Sequence, residues 1–179
     1  DDTDAGSTSL SSDENVFVGH NAGGGTWSNN KSRFNTGVGN NSMAAAFNGA
    51  LSNTSVGYNS LNKITEGASN IAMGSQAGEE ITTGDGNTCL GTGAGKETLA
   101  TGDDNVLVGR NVDTSAAGSA NQIVIGVGIA AAGDNDFAFG KASNVVHNDF
   151  DADAAWSRTS DIRKKKNIQQ DKLGLEFIN

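Results

Sequence analysis

Short phrases with alternating apolar positions recur along this chain, each opening on a side-chain amide and closing on glycine. Between residues 53 and 109 the phrase is spoken four times: N-T-S-V-G (Asn53–Gly57), N-I-A-M-G (Asn70–Gly74), N-T-C-L-G (Asn87–Gly91) and N-V-L-V-G (Asn105–Gly109). The closing glycines lie 17, 17 and 18 residues apart. Upstream the same pattern gives N-V-F-V-G (Asn15–Gly19) and N-T-G-V-G (Asn35–Gly39). Downstream it gives Q-I-V-I-G (Gln122–Gly126) and D-F-A-F-G (Asp136–Gly140), where the first residue drifts. Eight copies thus cover residues 15 to about 143. Self-similarity at a fixed period is the signature of a repeat architecture, here a solenoid.

Within each phrase the second and fourth residues share one face of a short strand, because side chains alternate with period 2. The fourth position is large and apolar in every copy: Val18, Val38, Val56, Met73, Leu90, Val108, Ile125 and Phe139. The third is mostly small (Gly37, Ser55, Ala72, Cys89, Ala138), with Phe17, Leu107 and Val124 as exceptions. This pattern predicts that the fourth-position face packs and that the opposite face is crowded. The closing glycine suits a tight corner.

After each corner comes a second small stretch (HNAG, NNSM, YNSL, SQAG, TGAG, RNVD), then a polar connector such as T-G-D-G-N or T-G-D-D-N. Mixtures of Gly, Asp and Asn are turn chemistry. The expected unit is two short strands and two turns, about 17 residues per coil. Glycine recurs too often for helix to survive, so the fold class is all-β. Coils stacked at strand spacing, ~4.8 Å each, would give a rod about 35–40 Å long. In that stack Asn15, Asn35, Asn53, Asn70, Asn87 and Asn105 lie above one another. Their amides are expected to hydrogen-bond along the column as a structural ladder.

Two coils depart from the period. The connector after Gly19 carries Trp27, Lys31, Arg33 and Phe34 behind three consecutive glycines. Insertions in solenoids map to loops on one face, so Trp27, Lys31 and Arg33 form a candidate ligand contact for a glycan or protein. The competing expectation is that Trp27 and Phe34 close the end of the stack. The second insertion, Met43–Leu51, is apolar and is expected to pack. Outside the repeat, residues 1–14 are polar and acidic and read as a flexible lead-in. From Asn144 the repeat stops, and 144–160 read as a neck.

Composition changes the picture in one respect. Glycine is 25 of 179 residues, aromatics are 6%, and much of the 35% hydrophobic fraction is alanine. A single copy with so few large apolar residues has little core to offset chain entropy. The missing core is therefore expected from other copies of the chain. The net charge of −9 is uneven: residues 1–157 hold 6 Lys/Arg against 18 Asp/Glu, and residues 158–179 hold 6 against 3. An acidic body argues against nucleic acid, whose phosphates need a basic face. No apolar run approaches 18 residues, so no membrane-inserted helix is expected.

Chemistry-bearing motifs are few. G-T-G-A-G-K-E-T (Gly91–Thr98) has the look of a phosphate loop, but Leu90 stands where the leading glycine belongs and Glu97 where Ser or Thr belongs. Cys89 fills the small third position of its coil, and His20 and His147 have no zinc-pattern partners. Asp149, Asp151 and Asp153 alternate, yet no glycine or terminal glutamate follows at calcium-loop offsets. No metal and no cofactor are expected. Ice binding, another use of flat solenoid faces, is disfavoured because Thr36, Thr54 and Thr88 do not form a continuous column.

Two stretches resemble known families. The phrase N-T-x-[VLM]-G-x-[NQ]-[AS] with its T-G-D-x-N connector resembles the left-handed parallel β-roll of trimeric autotransporter adhesin heads, and similar repeats occur in bacteriophage tail-fibre shafts. The resemblance covers residues 15 to about 143 and implies a homotrimer. The segment S-D-I-R-K-K-K-N-I (Ser160–Ile168) with L-G-L-E-F-I-N (Leu173–Asn179) resembles the opening of the intramolecular chaperone domain of endosialidase-type tailspikes. That resemblance places a chaperone start at 161–179 and implies a single self-cleavage at Ser160–Asp161 assisted by Lys165, a lysine near a serine serving as base. Lys164 departs from the family, which has leucine there. Together the resemblances imply a structural virion protein: a trimeric tail-fibre or spike shaft, assembled with other tail proteins and held out to meet a host surface. A bacterial surface adhesin head is the alternative, and a one-turnover autoprotease is the alternative from another class.

Overall fold

The computed structural model describes residues 14–28 and 30–152. Over these residues the chain is all-β, without helix, and forms a parallel β-solenoid of about seven turns. Each phrase contributes one strand: β1 (Val16–Val18), β2 (Thr36–Val38), β3 (Thr54–Val56), β4 (Ile71–Met73), β5 (Thr88–Leu90), β6 (Val106–Arg110), β7 (Ile123–Val127) and β8 (Asp136–Lys141). A ninth strand, β9 (Asn144–Asp149), follows. The strands stack in chain order in one sheet, parallel from β1 to β8. The register joins like with like, so Val56 lies beside Met73 and Met73 beside Leu90.

The amide column is built as the repeat implies. Asn70 donates from Nδ2 to Asn53 Oδ1 at 3.0 Å and to the Gly84 carbonyl at 2.7 Å, while its backbone N–H donates to the same Asn53 Oδ1 at 3.0 Å. Asn35, Asn53, Asn87 and Asn105 repeat this arrangement, each on the amide one coil before. Asn15 opens the ladder, with Nδ2 on the Ser32 carbonyl. The backbone N–H of Gln122 accordingly reaches Asn105 Oδ1 at 3.0 Å. Each interior amide therefore satisfies two donors and accepts twice, which is what makes a fully buried polar column tolerable. Asp136, the last member, cannot donate. It accepts from Ala132 N–H and pairs with His147 Nδ1 at 2.8 Å.

Three expectations are corrected. First, the second stretch of most coils is a run of turns, and among the described residues its one isolated bridge joins Asp113 with Ala130. Left-handed residues (Asn41, Asn59, Gln76, Asn111) interrupt extended backbone there, though inter-coil bonds such as Gln76 N–H to Tyr58 carbonyl at 2.7 Å continue the stacking. Second, the parallel stack ends at β8: Asn144–Asp149, read as the start of a neck, folds back antiparallel on it as β9. Third, the core is on the opposite side of the strand from the large fourth-position residues. The third-position residues point inward and are all buried, including Phe17, Ala72, Cys89, Leu107 and Val124.

The reason is the narrow interior. Large side chains enter it from the turn walls (Met43, Phe47, Leu61, Ile64, Ile81, Leu99 and Val112, all 0% exposed), leaving small space under the strands. At coil 1 Phe17 packs edge-on to Trp27, ring centroids 5.7 Å apart, and Trp27 stacks on Phe47 at 4.7 Å. Gly37 lies beneath this cluster, and a Cβ there would meet Phe17 Cδ1 at 2.7 Å. The closing glycines turn the corner where coils touch backbone to backbone. Gly74, at φ +139°, would put a Cβ 2.6 Å from the Gly91 carbonyl carbon.

Candidate functional site

The strand positions that do not enter the core form one continuous surface. Residues 16 and 18 of β1, and their equivalents through β8, are Val-Val, Thr-Val, Thr-Val, Ile-Met, Thr-Leu, Val-Val, Ile-Ile and Phe-Phe. All sixteen are exposed or half-buried, and none carries a charge. Val16 is 54% exposed, Ile71 43%, Met73 48%, Ile125 43% and Phe139 40%. The strip runs about 35 Å along the rod, seven steps at strand spacing. β-Branched and aromatic residues suit a pleated sheet, but a sheet left open to water on one side ordinarily reads polar on that side. A face without charge, apolar apart from Thr36, Thr54 and Thr88, has the composition of an interface core.

The threonines of this face are interrupted as the sequence implies: Thr36 lies beside Thr54, and Thr54 beside Ile71. A regular hydroxyl lattice is therefore not presented.

Of the proposed ligand contacts, Trp27 is corrected. It is 5% exposed, and its indole N–H donates to the Gly23 carbonyl at 3.1 Å. A ring filling the core has no face free to stack on a sugar. Arg33 Nη2 pairs with Glu14 Oε2 at 2.7 Å, and its guanidinium lies over Phe34, 5.1 Å from the centroid. Lys31 is exposed. The three side chains thus do not converge on a pocket. Phe34, also considered as an end cap, is 53% exposed, whereas Met43, Phe47 and Ala50 of the second insertion pack fully.

Ser160, Lys165 and Asp153 lie outside the described residues, as does the whole chaperone-like segment. Cys89 is buried, and its thiol is pushed up to about 12, first by burial and then by the negative charge of Asp113. It is a core side chain without nucleophilic character. The phosphate-loop look-alike is likewise structural: Gly93 and Gly95 sit at φ +66° in the turn wall, and Lys96 Nζ donates to Gln76 Oε1 at 3.1 Å.

His147 is less isolated than its sequence position implies. With Asp134, Asp136 and Asp149 it lines a recess of about 350 Å³ beside the terminal hairpin. Asp136 is 3% exposed and joins the start of β8 to His147 of β9. The signal was in the sequence, since Asp136 occupies the ladder position and must find donors other than a stacked amide. Among the described residues no group of three or more His, Cys, Asp or Glu side chains is arranged to hold a metal. The Asp136–His147 pair pins the hairpin. Among the described residues no serine or cysteine lines the recess.

Compared with family models, with curated proteins and with solved structures, the chain matches none.

Proposed function

We propose that this chain is a structural shaft whose copies pack through the uncharged sheet face into a homotrimer, forming part of a virion tail fibre or spike that carries attachment to a host surface. The observation that supports it is the sixteen-position strip without a charge, open along the whole parallel stack. Covering it would remove side chains such as Ile71, Met73 and Phe139 from water, at roughly 25 cal/mol per Å² of apolar area. The role in a virion rests on the likeness of the repeat to tail-fibre shafts and of Ser160–Ile168 to tailspike chaperone openings. Attachment by such a shaft is avid: three identical faces meet a surface together, and linked weak contacts gain effective concentration.

Native mass spectrometry tests the proposal. The expected species has three times the 18.2 kDa chain mass. A folded, monodisperse monomer at micromolar concentration would overturn it.

A further inference from the structure

The few ionisable residues on the two margins of the uncharged face differ in sign. One margin is the residue before each ladder amide: Glu14, Phe34, Ser52, Ser69, Gly86, Asp104, Asn121 and Asn135. The other is the residue after each closing glycine: His20, Asn40, Tyr58, Ser75, Thr92, Arg110, Val127 and Lys141. Acids occur only on the first margin and bases only on the second. They also share heights, because Asp104 and Arg110 bracket the same strand β6 and Glu14 and His20 bracket β1. Stacking holds each margin in line, with Arg110 beside Val127 and Val127 beside Lys141.

Within one chain these charges cannot meet. Asp104 and Arg110 are six residue steps apart, about 20 Å of extended backbone. Both are exposed, and neither side chain has a hydrogen-bond or ion-pair partner among the described residues. Glu14 differs, being held by Arg33.

We infer that copies of this chain associate parallel and in register, with Asp104 of one copy pairing Arg110 of the next beside the apolar face. The inference rests on the self-association proposed above and adds its direction, register and specificity residues. Rotation about an axis along the rod brings the acidic margin of each copy against the basic margin of its neighbour at equal height, a heterologous contact that closes into a ring. A two-fold axis across the rod would bring acidic margin to acidic margin with heights reversed. A slip of one coil would set Asp104 against Thr92 or Val127. The apolar strip supplies attraction with little preference for direction, and the margin charges supply the preference.

Charge reversal tests this in the full chain. Asp104→Arg alone and Arg110→Asp alone each place like charges together at every interface, whereas the double swap restores opposite charges. Each bridge is expected to contribute about two- to fivefold. Acting three at a time, either single change should raise the dissociation constant of the trimer about 10- to 100-fold in low salt. The double swap should return to within about threefold of wild type, and the single-variant deficit should shrink in 1 M salt. Single variants that assemble like wild type, or a swap as weak as the two losses combined, would overturn the inference while leaving the trimer intact. A monomeric wild-type chain would instead overturn the self-association beneath it.

Discussion

The inner and outer sides of the same eight strands solve opposite problems. Inside, Asn53, Asn70 and Asn87 are polar and fully buried, yet every donor is matched within the chain. Outside, Val38, Ile71 and Met73 are apolar and exposed, without cover from the described residues. The ladder is complete in one copy because its partner is the next coil. The outer strip has no next coil to turn to. Polar character thus marks what the solenoid satisfies within itself, and apolar character marks what it leaves exposed.

Replacing Asn70 by Asp breaks this comparison most severely. A carboxylate oxygen would take the place of Nδ2, facing Asn53 Oδ1 and the Gly84 carbonyl, both acceptors. An uncompensated buried charge should destabilise the fold by about 3–5 kcal/mol, read as a lower urea midpoint. Part of the loss should be regained as pH falls through the carboxylate range, where the protonated acid can donate once. A loss below about 1 kcal/mol would mean the ladder is incidental to stability.

Met73→Asp, three residues on from Asn70 and on the far side of the sheet, should behave in the reverse way. At 48% exposure the side chain contributes little to a single copy, so the monomer fold should change by no more than about 0.5 kcal/mol. Assembly should weaken by more than about 100-fold, because each contact would bury an unpaired charge. A variant that unfolds, with no separate effect on mass, would show that the outer strip serves the solenoid itself.

Cys89 gives no effect at neutral pH and sharpens the inner side alone, in alkali. With the native thiol at about 12 against an ordinary 9.0, the folded state keeps its proton when the unfolded chain has lost it. Stability from this group is therefore full below about pH 9 and declines as pH rises toward 12, by at most about 1.4 kcal/mol per pH unit. Cys89→Ala should lack that alkaline decline, and native Cys89 should resist thiol reagents at pH 8. Rapid labelling of the folded chain would contradict its burial.

The repeat period, the all-β class and the ladder were legible in the sequence because each depends on local chemistry repeated in register. Gly recurs where the corner needs it, and Asn recurs where a coil's carbonyls need a donor. The core was only half legible. Phe47, Ile64, Ile81 and Leu99 come seven or eight residues after the closing glycines, a regular signal obscured by the polar connectors around them. Trp27 belongs to this column too, which is why it is filler rather than a ligand contact.

By itself, then, the sequence determined that coils of about 17 residues stack through parallel strands and amide hydrogen bonds. Period-2 alternation divides a strand into two faces but does not say which is inside. That was decided by the tertiary structure, through the size of the side chains entering from the turn walls. Where Leu61, Ile64 and Ile81 fill the interior, the small Ser55, Ala72 and Cys89 fit beneath β3 to β5 and the larger fourth-position residues face outward. The pairing of Asp136 with His147 was decided the same way, by a hairpin that only the folded end of the stack could place.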